Sequence, residues 1–217
     1  MERKPFCEKL LALNPDLLLV NLEENTLEDI DFFKSRVECY INGVKTVQHG
    51  IATIRELGAL VGTGDVAEKW ALAAEGEIHT IKARVSEKIN AGATRPRLFY
   101  AIWREPWMTI NADTFIHDLL KECGAENVFA SKSARYPAVT AEELIAAAPD
   151  IAWLPSEPFI FKQKHVEEFQ KLYAVPASQT GRVELVNGDN VCWFGVRQIA
   201  GLPYTFARLW NPQLRDQ

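Results

Sequence analysis

The sequence has no apolar run near the roughly 20 residues that a membrane-spanning helix needs, so no transmembrane segment is expected. Its opening, Met1-Glu2-Arg3-Lys4-Pro5, leads into an amphipathic stretch without the apolar centre or small-residue cleavage site of a signal peptide. No export address is therefore expected on the chain as written. Cysteine is sparse: Cys7, Cys39, Cys123 and Cys192 are widely scattered, with no CxxC, and read as free thiols. The four histidines, His49, His79, His117 and His165, are as dispersed, so no protein-ligated metal site and no resident cofactor is expected. Positive charge is also short. A formal net charge of −5, with no basic run, argues against nucleic acid as a partner. Catalytic signatures are missing too: there is no GxSxG, no P-loop and no GxGxxG. Gly62-Thr63-Gly64 precedes a helix but lacks the following lysine or third glycine of a phosphate loop, and reads as a helix boundary.

What is present is an alternation of short apolar runs and helical patterns, which implies a mostly parallel sheet covered by helices. Helices are expected over residues 5–13, from Thr26 to about Lys34, and over about 45–60. Further helices are expected from Asp113 or Thr114 to Cys123, and over 140–148, 162–172 and about 196–210. Strands are expected over 17–20, 37–41, 98–102, 151–154 and 183–186. Between Asp65 and about Ala91 there is no proline and only one glycine, Gly76, while Trp70, Ala74, Ile78, Ile81, Val85 and Ile89 recur on one face. A helix of that length spans about 40 Å, the width of a small domain, and suits a strut between two lobes.

An internal repeat supports two lobes. Residues 7–20 align without a gap on residues 141–154, and Glu, Leu, Ala, Pro and Asp coincide. Each copy is a helix, a Pro-Asp turn and a buried strand, a corner also common in unrelated α/β proteins. The strand at 98–102 and the helix at 113–123 precede the second copy, and their counterparts would fall upstream of Met1. The first lobe is thus expected to be incomplete, with a sheet edge or apolar face uncovered. The expected division is a first lobe over 1–64, a linking helix over 65–92 and a second lobe over 93–217.

Ligands of open α/β sheets bind beyond the carboxyl ends of the strands. Trp103, Trp107, Tyr136, Trp153, Trp193 and Phe194 fall at or just past such ends. Their flat rings suit a large, planar, partly apolar ligand, with Asp189 and Arg197 adding directional polar contacts. The alternative for each ring is a place in the core.

The chain resembles the helical-backbone metal-receptor superfamily, the class of cobalamin- and iron–siderophore-binding proteins of ABC importers. The resemblance is carried by residues 11–20, Asp113-Thr114-Phe115-Ile116-His117-Asp118-Leu119-Leu120, Gly124-Ala125-Glu126-Asn127-Val128-Phe129 and Tyr136-Pro137-Ala138-Val139-Thr140 with Glu142. Pro149-Asp150, Gly181-Arg182-Val183 and Trp193-Phe194-Gly195-Val196-Arg197 complete it. The resemblance implies two Rossmann-like lobes bridged by one long helix, and a corrinoid, siderophore or haem held in the cleft between them. It implies ligand contacts from Tyr136 and from the loop Asp189–Arg197. Glu8 and Glu142 would each dock on a basic residue of the importer's permease. It implies a binding protein rather than an enzyme, placed in the periplasm or at the cell surface. The missing signal sequence leaves a cytoplasmic binding module, uncoupled from transport, as the alternative. An α/β enzyme using Asp189, Arg197 and His117 is the remaining one.

Overall fold

A computed structural model describes residues 3–211. Two compact units divide the chain, Met1–Val44 and Lys45–Gln217.

The smaller unit runs helix–strand–helix–strand: α1 (Arg3–Leu11), β1 (Leu17–Asn21), α2 (Leu27–Lys34) and β2 (Glu38–Asn42). The two strands are parallel, with Leu19 opposite Tyr40. Thr26 caps α2 by accepting the Asp29 backbone N–H, and Ile30 and Phe33 are its buried residues. Among the described residues β1 has a strand partner only on its β2 side, and Leu19 is 56% exposed.

The larger unit begins with two long antiparallel-connected helices, α3 (Val47–Leu60) and α4 (Gly64–Asn90). Helix α4 is continuous over 27 residues, as the sequence pattern predicts. Its buried stripe is Ala67, Ala71, Ala74, Ile78, Ile81 and Val85. The expected Trp70 is not in it and stands 48% exposed. The reason is how closely α3 approaches: a Cβ on Gly58 would lie 2.1 Å from the Ala67 Cβ, so only alanine fits that end of the seam. Helix α3 packs on α4 and on residues Gly195–Arg197, and the smaller compact unit ends at Val44, where the expected first lobe ran to residue 64.

The remaining elements form a four-stranded, all-parallel sheet in the order β4-β3-β5-β6. They run β3 (Arg97–Tyr100), α5 (Phe115–Glu122), β4 (Glu126–Asn127), α6 (Ala141–Ala147), β5 (Ile151–Pro155) and α7 (Gln163–Leu172). Then come α8 (Pro176–Thr180), β6 (Val183–Val186), α9 (Asp189–Cys192), a 3₁₀ turn at Gly195–Arg197 and α10 (Gln198–Trp210). Strand β5 is central, and all five of its residues are buried. That is why its sequence is continuously apolar rather than alternating. Trp153, expected at a strand end, lies inside this strand with no exposed surface, its Nε1–H donated to Glu184 Oε2 at 3.2 Å. The buried Glu184 carboxylate also accepts from Arg182 Nε at 3.1 Å, and Arg208 lies 3.7 Å away.

The repeat is structural as well as sequential. At the same offset of 134, β1 (17–21) falls on β5 (151–155). Asn14 and Ala148, which align, both adopt left-handed backbone with φ of 48° and 44°. Each turns the chain from its helix into Pro-Asp. In the larger unit the Asp150 carboxylate then accepts the Arg97 backbone N–H at 3.0 Å, tying the turn to the start of β3.

Candidate functional site at the carboxyl ends of the strands

Three loops leave the carboxyl ends of β3, β5 and β6, and hydrogen bonds fix each of them. After β3, Ile102 N–H donates to the Met108 carbonyl and Met108 N–H to the Trp103 carbonyl, closing a short loop over 103–108. Met108 also bridges Ala138, while Thr109 and Val139 N–H groups reach Pro137 and Trp107 carbonyls. This antiparallel pairing brings the segment that carries Tyr136 beside the loop that carries Trp103. Tyr136 is 38% exposed, and the Arg135 guanidinium stands 5.6 Å from its ring centre.

The β6 loop is held from two sides. Gln198, fully buried, donates Nε2–H to the Val47 carbonyl of α3 at 3.1 Å and accepts the Gly195 N–H at 3.2 Å. Gly188 lies against the β5 loop, where its N–H donates to Ser156 Oγ at 2.9 Å. An added Cβ on Gly188 would meet Glu157 Cγ at 2.6 Å and Glu157 N at 3.0 Å, so the absence of a side chain lets the two loops touch.

That contact builds a continuous surface. Trp193 is 46% exposed and donates Nε1–H to Glu157 Oε1 at 2.6 Å. Two residues beyond Glu157, Phe159 meets the 45%-exposed Trp103 edge to face, with centroids 5.3 Å apart. Arg197 lies 3.5 Å from Asp189 Oδ2, both partly exposed. Burial and the neighbouring Asp189 carboxyl push the Glu157 carboxyl above the usual range, against the lowering effect of the Trp193 N–H and Arg197. Beneath the loop the fully buried Tyr100 hydroxyl lies 3.1 Å from Cys192 Sγ, and burial pushes that thiol up to about 12.

The predicted residues divide by placement. Trp103, Trp193, Asp189 and Arg197 come together with Glu157 and Phe159, and Tyr136 is carried beside Trp103. Trp107 does not join them. Its half-buried ring stacks on Phe161 at 5.7 Å and meets Phe169 and Tyr173 edge-on, packed against the core cluster that includes Val166 and Phe169 of α7. Phe194 is half-buried and packs edge-to-face against Phe115 of α5 at 6.1 Å. Glu157 and Phe159 were missed in the sequence, although Pro155-Ser156-Glu157-Pro158-Phe159 directly follows a predicted strand and satisfies the same strand-end criterion. Both Glu8 on α1 and Glu142 on α6 are exposed. Glu142 lies in the first turn of a helix capped by Thr140, and hydrogen bonds from its own backbone N–H and from Thr140 lower its carboxyl.

His117 is elsewhere, lining a separate cavity of about 550 Å³ with Lys82, Arg95, Lys121 and Asn127. Neither Asp189 nor Arg197 lines that cavity. Among the described residues no group of three or more His, Cys, Asp and Glu side chains could hold a metal ion, and no helix is long and apolar enough to cross a membrane.

A family model for periplasmic binding proteins matches residues 2–187. The chain belongs to this family. Periplasmic binding proteins are receptors for solutes rather than catalysts. A vitamin B12-binding protein of Vibrio parahaemolyticus is 25% identical over 190 residues, covering 84% of this chain and 64% of that protein. One from Pectobacterium atrosepticum is 30% identical over 146 residues, covering 65% of this chain and 51% of that one. The chain thus spans between half and two thirds of these curated relatives. Among solved structures, the periplasmic vitamin B12 binding protein BtuF of Vibrio cholerae superposes with a TM-score of 0.78 at 19% identity, covering 93% of this chain and 76% of that one. The periplasmic heme-binding protein BhuT, in complex with two hemes, gives 0.81 at 22% identity, covering 94% and 78%. These likenesses establish the shared fold: parallel α/β lobes with one long helix.

Proposed function

We propose that the protein is the solute receptor of an ABC importer and takes a planar metal chelate, a corrinoid or a related haem or siderophore complex. The observation that carries this reading is the pair of half-exposed tryptophans, Trp103 and Trp193, joined through Phe159 and Glu157 across the carboxyl ends of β3, β5 and β6. Large rings left in water at the place where open α/β sheets bind ligands suit stacking on a flat apolar face. Tyr136 extends the aromatic surface, and Asp189 and Arg197 supply polar contacts at its edge. The relatives named for vitamin B12 and the structural neighbour that holds hemes support this class of ligand. On the same reading Glu8 and Glu142, equivalent in the repeat and both exposed, dock on the permease, and the receptor works in the periplasm or at the cell surface.

The test is a titration with dicyanocobinamide, cyanocobalamin, haem and a ferric siderophore, following quenching of tryptophan fluorescence. Saturable quenching by at least one chelate, lost in Trp193→Ala, is expected. Silence with all four would refute the reading.

A further inference from the structure

This inference rests on the receptor reading and concerns how Trp193 is presented to a ligand. Trp193 is 46% exposed, and an indole so placed turns about its side-chain bonds unless something holds it. Holding it before the ligand arrives removes an ordering cost from binding. Among the described residues the indole N–H has its acceptor in Glu157 Oε1, at 2.6 Å. Such a bond restrains the ring only if the carboxylate is itself held, and it is. Ser156 N–H donates to the Val186 carbonyl at 3.0 Å and Phe161 N–H to the Pro155 carbonyl at 3.2 Å, so hydrogen bonds pin both ends of the segment that carries Glu157. Gly188 closes on the side chain, since an added Cβ there would lie 2.6 Å from Glu157 Cγ. In the same segment Phe159 meets the buried Phe161 ring, with centroids 4.7 Å apart. The acceptor is therefore anchored to β5, β6 and the core, while the ring it holds stands in water.

We propose that Glu157 is a positioning residue of this surface: through the N–H···Oε1 bond it fixes the Trp193 indole so that a ligand meets a preset ring face and not a hydrogen-bond donor. An indole has one donor and no acceptor, so with the N–H committed to Glu157 only the faces and carbon edge of the ring remain for contact. Those surfaces suit a flat apolar or π-bearing face. A ligand acceptor placed against Trp193 gains no hydrogen bond from it.

The experiment is a double-mutant cycle between Glu157→Ala and Trp193→Phe, with Glu157→Gln as the conservative variant. Isothermal titration calorimetry, which needs no tryptophan signal, would give dissociation constants for dicyanocobinamide, cyanocobalamin, haem and a ferric siderophore, and scanning calorimetry the Tm of each protein. For a chelate that binds the parent, Glu157→Ala should weaken binding about three- to tenfold, the worth of one side chain ordered in advance. Glu157→Gln, whose amide oxygen accepts the same N–H, should return binding to within about twofold of the parent. Trp193→Phe keeps a ring face and should still bind saturably. In its background Glu157→Ala should change affinity by less than about twofold, because no N–H is left to hold. Equal weakening by Glu157→Ala in both backgrounds, together with a lowered Tm, would mean a merely structural role. That result, or Glu157→Gln as weak as Glu157→Ala, or Glu157→Ala as tight as the parent, would overturn the positioning role and leave the receptor reading intact. Silence of the parent with all four chelates would overturn the receptor reading, and this inference with it.

Discussion

Gly188→Ala tests whether the contact between the β5 and β6 loops holds the candidate site together. Gly188 has φ −60° and ψ −39°, which alanine adopts freely, so the substitution carries no backbone strain. In open space it would stabilise by about 0.4–1 kcal/mol through the unfolded chain. Space is what is missing. The new Cβ would stand 2.6 Å from Glu157 Cγ and 3.0 Å from Glu157 N, against a carbon–carbon optimum of about 3.5–4.0 Å. Glu157 Cγ can swing, but the backbone nitrogen cannot, so the loops must part by about half an ångström or more. Overpacking of this kind costs about 1–3 kcal/mol, leaving a net loss of about 1–2 kcal/mol after the entropic gain. For a chain of this size that lowers Tm by roughly 2–8 °C. Differential scanning calorimetry would measure it, with Gly76→Ala as control. A Cβ at Gly76 in α4 meets nothing within 4 Å, so that variant should gain about 0.5–1 kcal/mol. Trp193 reports the same event optically, since parting the loops breaks its bond to Glu157 and shifts its emission. A Gly188→Ala protein with unchanged Tm and unchanged Trp193 emission would refute the reasoning.

Trp107→Ala should cost about 3–5 kcal/mol in urea unfolding, because its ring is packed among Phe161, Phe169 and Tyr173. Trp193→Ala should leave stability within about 1 kcal/mol and act on ligand binding instead; the reverse order would invert their assignments. The Cys123 and Cys192 thiols, pushed upward by burial, the latter to about 12, should resist Ellman's reagent at about pH 8 until the protein unfolds. Fast native labelling at either would contradict their burial.

The legible parts of the fold are those where a residue's pattern depends on its own element. Strands 151–155 and 183–186 and the 27-residue helix were readable because burial on both faces, or along one stripe, leaves a long periodic trace. The two-residue β4 and the short α8 and α9 left none, since they exist through tertiary contacts such as Glu126 N–H to the Pro96 carbonyl. Periodicity reports which face is buried and not how near the neighbour comes, so Trp70 was placed in a seam that Gly58 and Ala67 had closed to large side chains. The tryptophans show the same limit at the site. Trp103 and Trp107 are four residues apart on one loop, yet the first meets solvent and the second the core, because the turn between them reverses the chain. Only the fold shows which way each ring points, and only the fold brings Glu157 to Trp193.

The repeat offers a final test that needs no ligand. Ala148 ends α6 in left-handed backbone, with its N–H donated to the Leu144 and Ile145 carbonyls at 3.2 and 3.1 Å. For an alanine that conformation costs roughly 1–2 kcal/mol, and glycine escapes it at an entropic cost of about 0.5–1 kcal/mol. Ala148→Gly should therefore stabilise by about 0.5–1 kcal/mol. Its counterpart Asn14 has φ 48°, but asparagine tolerates this region, so Asn14→Gly should be near neutral. Ala147→Gly, one residue earlier and still helical, should destabilise by about 1 kcal/mol. This ordering, gain at 148, little change at 14 and loss at 147, is read by chemical denaturation. A loss at 148 equal to that at 147 would mean that the helix runs on through Ala148. The shared left-handed turn would then be gone, and with it the structural basis for treating residues 7–20 and 141–154 as copies of one unit.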